Sequence, residues 1–143
     1  HTIRFDASDY DGNAATQKSV TFKIDTVPPT LSVTSPSDGY VTNKSTITVS
    51  GTTNDATSSP VTVTVNGASV TVGSNGAFST TVTLSAGSNT INIVAKDSAG
   101  KTTTITRTVK YDPNPPKITA ASVTPNPVDA GKTYVISVTV TDD

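Results

Sequence analysis

The chain has 143 residues, a formal net charge of −1, 33% hydrophobic and 5% aromatic residues, one histidine and no cysteine. Near-neutral charge gives no electrostatic reason to expect a nucleic acid partner, and the lack of cysteine excludes disulfides and thiolate metal sites. All eleven acidic residues are aspartate, and Leu31 and Leu84 are the only leucines, while threonine, valine and serine dominate. Such β-branched residues suit a pleated, half-buried surface, so composition predicts an all-β protein with a thin core of valine and isoleucine. No apolar run approaches the roughly 20 residues of a membrane-spanning helix, and no signal-peptide pattern is present. The sequence opens at His1 within a strand-like pattern, as expected of an excerpt or processed piece of a longer protein.

In chain order, the first feature is a repeat. "HTIRFDASDYDG" (1–12) lines up with "NTINIVAKDSAG" (89–100), bringing Ile3 onto Ile91, Phe5 onto Ile93, Ala7 onto Ala95, Asp9 onto Asp97 and Gly12 onto Gly100. One gap later "SVTFKIDTVPP" parallels "TVKYDPNPP", so Pro28-Pro29 and Pro115-Pro116 correspond. "STITVSGTTND" (45–55) resembles "TYVISVTVTDD" (133–143). Residues 1–27 therefore read as the C-terminal part of one repeat, 28–114 as a complete repeat and 115–143 as the N-terminal part of the next. Strands are expected near 1–10 and 17–25 in the tail and near 117–124 and 133–142 in the head.

Within 28–114 the apolar period is two. Ile47 and Val49, then Val61, Val63 and Val65, then Val70 and Val72 alternate with polar residues, followed by Phe78, Val82 and Leu84. Ile91, Ile93 and Ala95 continue the pattern, and Ile105, Val109 and Tyr111 share a parity at its end. Alternation of this kind buries one face of each strand and wets the other. Asp38-Gly39, Asn66-Gly67, Asn75-Gly76, Ala86-Gly87 and Ala99-Gly100 punctuate the runs. Asn66-Gly67 is the sharpest of these, because a two-residue hairpin turn needs φ > 0 at both central positions. About seven short strands so arranged predict a two-sheet immunoglobulin-like β-sandwich. The proline pairs fix φ and extend the residues before them, as a short semi-rigid strut between repeats would require.

The stretch "VTVNGASVTVGSNGAFSTTVTLSAGSNTINIVAKDSAG" (61–100) resembles the bacterial immunoglobulin-like modules related to domain B of glucodextranase. The tail is similar to another bacterial immunoglobulin-like repeat that often precedes an Asp-Thr-x-Pro-Pro junction. The resemblance implies arrays in exported bacterial glycosidases, proteases, adhesins and surface-layer proteins, and a shared scaffold rather than a shared activity. The expected function is a non-catalytic spacer of a large secreted or cell-surface protein; the alternative is an accessory carbohydrate-binding module of an exported glycoside hydrolase. Expected partners are neighbouring modules of the same protein, with a homo-oligomer or strand-exchanged assembly as the other way to cover the partial repeats. A glycan partner is disfavoured, because there is no tryptophan and only Tyr10 and Tyr40 fall in loop-like segments.

Catalytic chemistry finds no support. A Ser-His-Asp arrangement is not expected with His1 alone at the terminus, no protein zinc site is expected, and no phosphate loop can be read. The densest oxygen cluster is "DASDYDGN", with Asp6, Asp9, Asp11 and Asn13. It has two readings: a calcium loop, lacking one aspartate and the bidentate glutamate of the usual pattern, or an Asx-capped turn with glycine in the left-handed region. Asp97 occupies the Asp9 position without extra carboxylates beside it in sequence, which favours the turn. Asp25 and Asp112 offer a second calcium reading, an ion clamped at each junction, to which Asp142 and Asp143, aligned with Asn54 and Asp55, could add ligands.

Overall fold

The computed structural model describes residues 1–124, 126–127 and 129–142. Twelve strands and no helix are present among the described residues. Among the described residues there is therefore no helix long and apolar enough to cross a membrane.

Residues 30–111 form a two-sheet sandwich. One sheet holds β3 (Thr30–Ser35), β5 (Thr46–Asn54) and β8 (Ala77–Thr83), in the order β3-β5-β8. The other holds β4 (Tyr40–Thr42), β6 (Thr62–Val65), β7 (Ala68–Val70), β9 (Gly87–Lys96) and β10 (Thr102–Tyr111), in the order β4-β10-β9-β6-β7. The pairing is antiparallel except at β4, which runs parallel to β10. The alternation expected from sequence carries the core: Val49, Val63, Val65, Phe78, Leu84, Ile91, Ile93, Ala95 and Val109 are buried between the sheets. Leu31, Val33, Ile47, Val61, Val70, Val72, Val82 and Tyr111 pack around them. Threonines of opposite parity face water, as the period of two requires.

Two glycines show why the chain bends and packs where it does. Asn66 (φ 49°) and Gly67 (φ 83°) join β6 to β7 with Val65 opposite Ala68, the two-residue turn the Asn-Gly pair predicts. Gly51, in the middle of β5, has no room for a side chain. A Cβ there would overlap the Ser32 carbonyl oxygen on the neighbouring strand and lie 2.8 Å from the Phe78 ring.

The inner face also holds a charge that the apolar pattern does not reveal. Arg107 lies between Ile105 and Val109 on the inward side of β10. Its Nε donates to the Pro36 carbonyl at 3.2 Å and its Nη2 to the Val33 carbonyl at 3.5 Å. The Val33 carbonyl belongs to the irregularity where the β3–β5 register shifts between Val33 and Ser35. The guanidinium thus ties one sheet to a stretch of backbone in the other that the ladder leaves incompletely paired.

The flanks are hairpin-like ladders. β1 (Thr2–Phe5) pairs with β2 (Lys18–Thr21), and β11 (Lys117–Thr124) with β12 (Val135–Thr141). Both tail strands are shorter than the sequence pattern suggests. The apolar residues of these ladders are open to water: Ile3 is 48% exposed and Phe5 57%, whereas their sequence counterparts Ile91 and Ile93 are fully buried. Ile118, Val135, Ile136, Val138 and Val140 are also exposed.

The strands run between two poles. Thr30 pairs with Asn54, and Thr102 with Lys96, at the pole that receives the chain from the tail. Tyr111 pairs with Gly87 at the other pole. Pro29 is fully buried, and its carbonyl accepts a 2.6 Å hydrogen bond from the Thr103 hydroxyl. The second proline of the junction is therefore docked on the sandwich rather than standing free as a strut.

Candidate functional site

At the pole nearest the tail, two strand ends and the incoming linker deliver three aspartates. Asp25 precedes Pro28-Pro29, Asp55 directly follows β5, and Asp97 directly follows β9. A carboxylate oxygen from each lies within 4.8 Å of one from each of the other two.

Local hydrogen bonds fix each side chain. Asp25 Oδ1 accepts from the Val27 amide at 3.0 Å. Asp55 Oδ1 accepts from the Thr57 amide at 2.7 Å and the Ser58 amide at 3.1 Å. These bonds, led by the Thr57 amide and then its hydroxyl, hold the Asp55 carboxyl below its ordinary value. Asp97 Oδ1 accepts from the Lys101 amide at 2.7 Å. The Thr57 hydroxyl sits 2.9 Å from Asp25 Oδ2 and 2.8 Å from Asp55 Oδ1, so its single proton is shared between the linker and the loop after β5. The loops after β5 and β9 are also clipped together, with the Ser58 and Ser98 hydroxyls 2.9 Å apart.

The remaining oxygens are the unusual part. Asp97 is 4% exposed, and its Oδ2 is buried without a hydrogen-bond partner. Asp55 Oδ2 is in the same condition. An unpartnered buried carboxylate oxygen is costly, because it has given up water for nothing in return.

The sequence-derived candidates distribute differently. In the tail, Asp9 builds the same turn as Asp97. Its Oδ1 accepts from the Asn13 amide at 2.8 Å, as Asp97 Oδ1 does from Lys101. Gly12 (φ 86°) and Gly100 (φ 90°) occupy the left-handed region. Asp9 Oδ2, unlike Asp97 Oδ2, is satisfied by the Asn13 amide group at 2.9 Å. The Asn13 side chain, then its backbone, holds the Asp9 carboxyl below its ordinary value. Asp6 accepts from Gln17 Nε2 at 2.6 Å. Among the described residues, Asp6, Asp9, Asp11 and Asn13 form no group of three converging carboxylates.

At the other junction, Asp112 accepts from the Asn114 amide at 3.1 Å and lies 3.2 Å from Lys110 Nζ. The amide bond, then the lysine, lowers its pKa. Lys117 pairs with Thr141 as Thr30 pairs with Asn54, so Asp142 occupies the place of Asp55 rather than that of Asn54. Asp112 and Asp142 line one cleft with Pro115 and Pro116. Asp143 lies outside the described residues. Tyr40, read as a loop residue, begins β4, because its backbone completes the parallel ladder with Val109. Tyr10 is fully exposed in the tail turn.

The sequence reading placed Asp25, Asp55 and Asp97 in separate contexts, since 30 and 42 residues separate them. The signal that joins them is topological. An aspartate lies one residue past the ends of β5 and β9, strands of opposite sheets that finish at the same pole.

Comparison with known proteins bears on the scaffold. No curated protein matches the chain. Among solved structures, the fibronectin(III)-like modules of Clostridium thermocellum CbhA are similar at 20% identity and a TM-score of 0.47, the match covering 76% of this chain and 60% of that one. The family model for glucodextranase, domain B, matches residues 29–112, more than half of the chain and the whole of the sandwich. The chain therefore belongs to the glucodextranase domain B family, whose immunoglobulin-like module it carries between β3 and β10.

Proposed function

We infer that the chain is a spacer segment of a large exported bacterial protein, in which immunoglobulin-like modules follow one another and hold other domains apart. The observation that carries this reading is the contrast between a sandwich with a closed core and two flanking ladders with uncovered apolar faces. Such faces are a liability in water and call for neighbouring strands of the same kind. The correspondence of Asp9 with Asp97 in turn geometry, and of Lys117–Thr141 with Thr30–Asn54 in register, supports successive modules of one design. The chain leaves the sandwich at the pole opposite the one it came in by, which suits end-to-end stringing. A secreted or cell-surface setting, as in a stalk, adhesin or surface layer, fits a family of this type.

Two measurements test the reading. Small-angle scattering on the 143-residue chain should give an elongated monomer. Affinity electrophoresis against a panel of plant and bacterial polysaccharides should give no retardation. Specific retardation by one polysaccharide would replace the spacer reading with a carbohydrate-binding one. A compact dimer would replace neighbouring modules with a second copy as the cover for the flanks.

A further inference from the structure

We propose that Asp25, Asp55 and Asp97 form a binding site for a hard divalent cation of the calcium class, which locks the incoming linker onto the sandwich. The argument begins with donor type. All three side chains offer carboxylate oxygens, with no nitrogen or sulfur donor among them. That is the ligand set of calcium rather than of zinc or copper. The geometry follows: oxygens bound about 2.4 Å from one ion can be at most about 4.8 Å apart, and the three carboxylates meet that limit pairwise.

The independent observation is the buried Asp97 Oδ2. Its partner oxygen already caps the turn through the Lys101 amide, so Oδ2 is not needed for that turn. The tail provides an internal comparison. Asp9 makes the same turn, and there Asn13 takes up the second oxygen. Position 101 is lysine, and no corresponding bond to Asp97 Oδ2 exists. Asp55 repeats the arrangement, one oxygen occupied by loop amides and the other buried and unpartnered. Two orphan oxygens from loops of opposite sheets, with a linker carboxylate beside them, are what a cation would join.

Asp25 gives the site its structural consequence. It is the ligand contributed by the linker, which is otherwise tied to the pole by the shared Thr57 proton and, further on, by Pro29. A cation bound by all three would add a link between the linker and both sheets. The sequence reading offered Asp25 as a junction ligand, and the present proposal adds Asp55 and Asp97 as its partners.

The test uses the 143-residue chain stripped of metal with a chelator and titrated with calcium chloride by calorimetry. The expected result is one ion per chain, with Kd in the range of roughly 10⁻⁵ to 10⁻³ M found for sensor and extracellular sites. Calcium should also raise the melting temperature, and chelator should reverse the rise. D97N keeps an oxygen for the Lys101 amide, and D25N keeps one for the Val27 amide. Both should nonetheless weaken calcium binding at least about tenfold, the loss typical of disturbing a metal site. D9N should bind like the parent chain.

Absence of binding at about 10 mM calcium, well above the weakest affinities of extracellular modules, overturns the proposal. So does binding that is indifferent to D25N and D97N. A proton shared between Asp55 and Asp97 would also satisfy the orphan oxygens. In that case D97N would leave the melting temperature unchanged or raise it, calcium would have no effect, and the proposal would fall. If D97N does not fold, D25N decides, because Asp25 lies outside the core.

Discussion

Ile91 and Ile3 fall on one another when residues 1–12 are aligned with 89–100, but one is fully buried and the other is 48% exposed. Truncating each to alanine isolates what the sandwich gains from covering that face. Ile91→Ala removes three carbon atoms from the centre of β9, a transfer loss of about 2.4 kcal/mol at about 0.8 kcal/mol per methylene. The surrounding core residues relax only partly, and the residual cavity brings the expected total to about 3–4 kcal/mol. In a unit of this size that corresponds to a fall in Tm of about 12–30 °C. Ile3→Ala removes the same atoms from a half-exposed site with no cavity to leave, so about 1 kcal/mol or less is expected. That cost falls on the β1–β2 ladder, and the main transition should not move. Far-UV circular dichroism during thermal and urea unfolding, run at two protein concentrations, reads both. An Ile3→Ala loss as large as that of Ile91→Ala would refute the reasoning, since it would mean that the tail face is covered. Dependence of that loss on protein concentration would identify a second copy as the cover.

Two further outcomes follow from glycine geometry and from charge. Gly51→Ala should cost at least about 2 kcal/mol, because the added Cβ meets backbone that cannot move aside. Gly67→Ala has open space around it and should cost about 1–2 kcal/mol through its φ of 83° alone; urea midpoints that reverse this order would contradict the structure. The Asp112 pKa is lowered in the folded chain, so its contribution is present above the ordinary value of 3.8 and is lost as pH falls through the lower folded value. Thermal melts between about pH 2.5 and 5 should show stability falling with acidification, and D112N should flatten that slope. An unchanged slope in D112N would count against a lowered pKa at this site.

Sequence reading succeeded where the information is local. Period-two alternation identifies Val49, Val63, Val65, Ile91, Ile93 and Val109 as core, because residues of one parity on a strand share a face. Asn66-Gly67 and the two Asp-containing turns are legible for the same reason: their hydrogen bonds close within four residues. What escaped depends on which strand ends share a pole. Asp55 and Asp97 meet only because β5 and β9 finish together, and nothing in either local segment encodes that. Arg107 escaped for another reason. Its parity is that of a core residue, but its charge argues for solvent, and the Val33 and Pro36 carbonyls that accept from its guanidinium reconcile the two. Tyr40–Thr42 is too short to show a period, and it is held as a strand by β10 rather than by its own composition.

The parallel pairing of β4 with β10 has a mechanical consequence. β3 and β4 lead in from the N-terminal side, while β10 is the last strand of the sandwich and runs the same way as β4. Tension applied through the two ends pulls β4 and β10 in opposite directions along their shared axis. The Gly39 amide bond to Thr108, the Asp112 amide bond to Thr42 and the ladder bonds between them are then loaded in shear. They carry the force together and must yield together, whereas a hairpin pulled open from one end yields one bond at a time. Resistance to pulling is governed by the rate of unfolding rather than by equilibrium stability, so three residues, Tyr40 to Thr42, set how the module bears a load far more than their small share of the core would suggest.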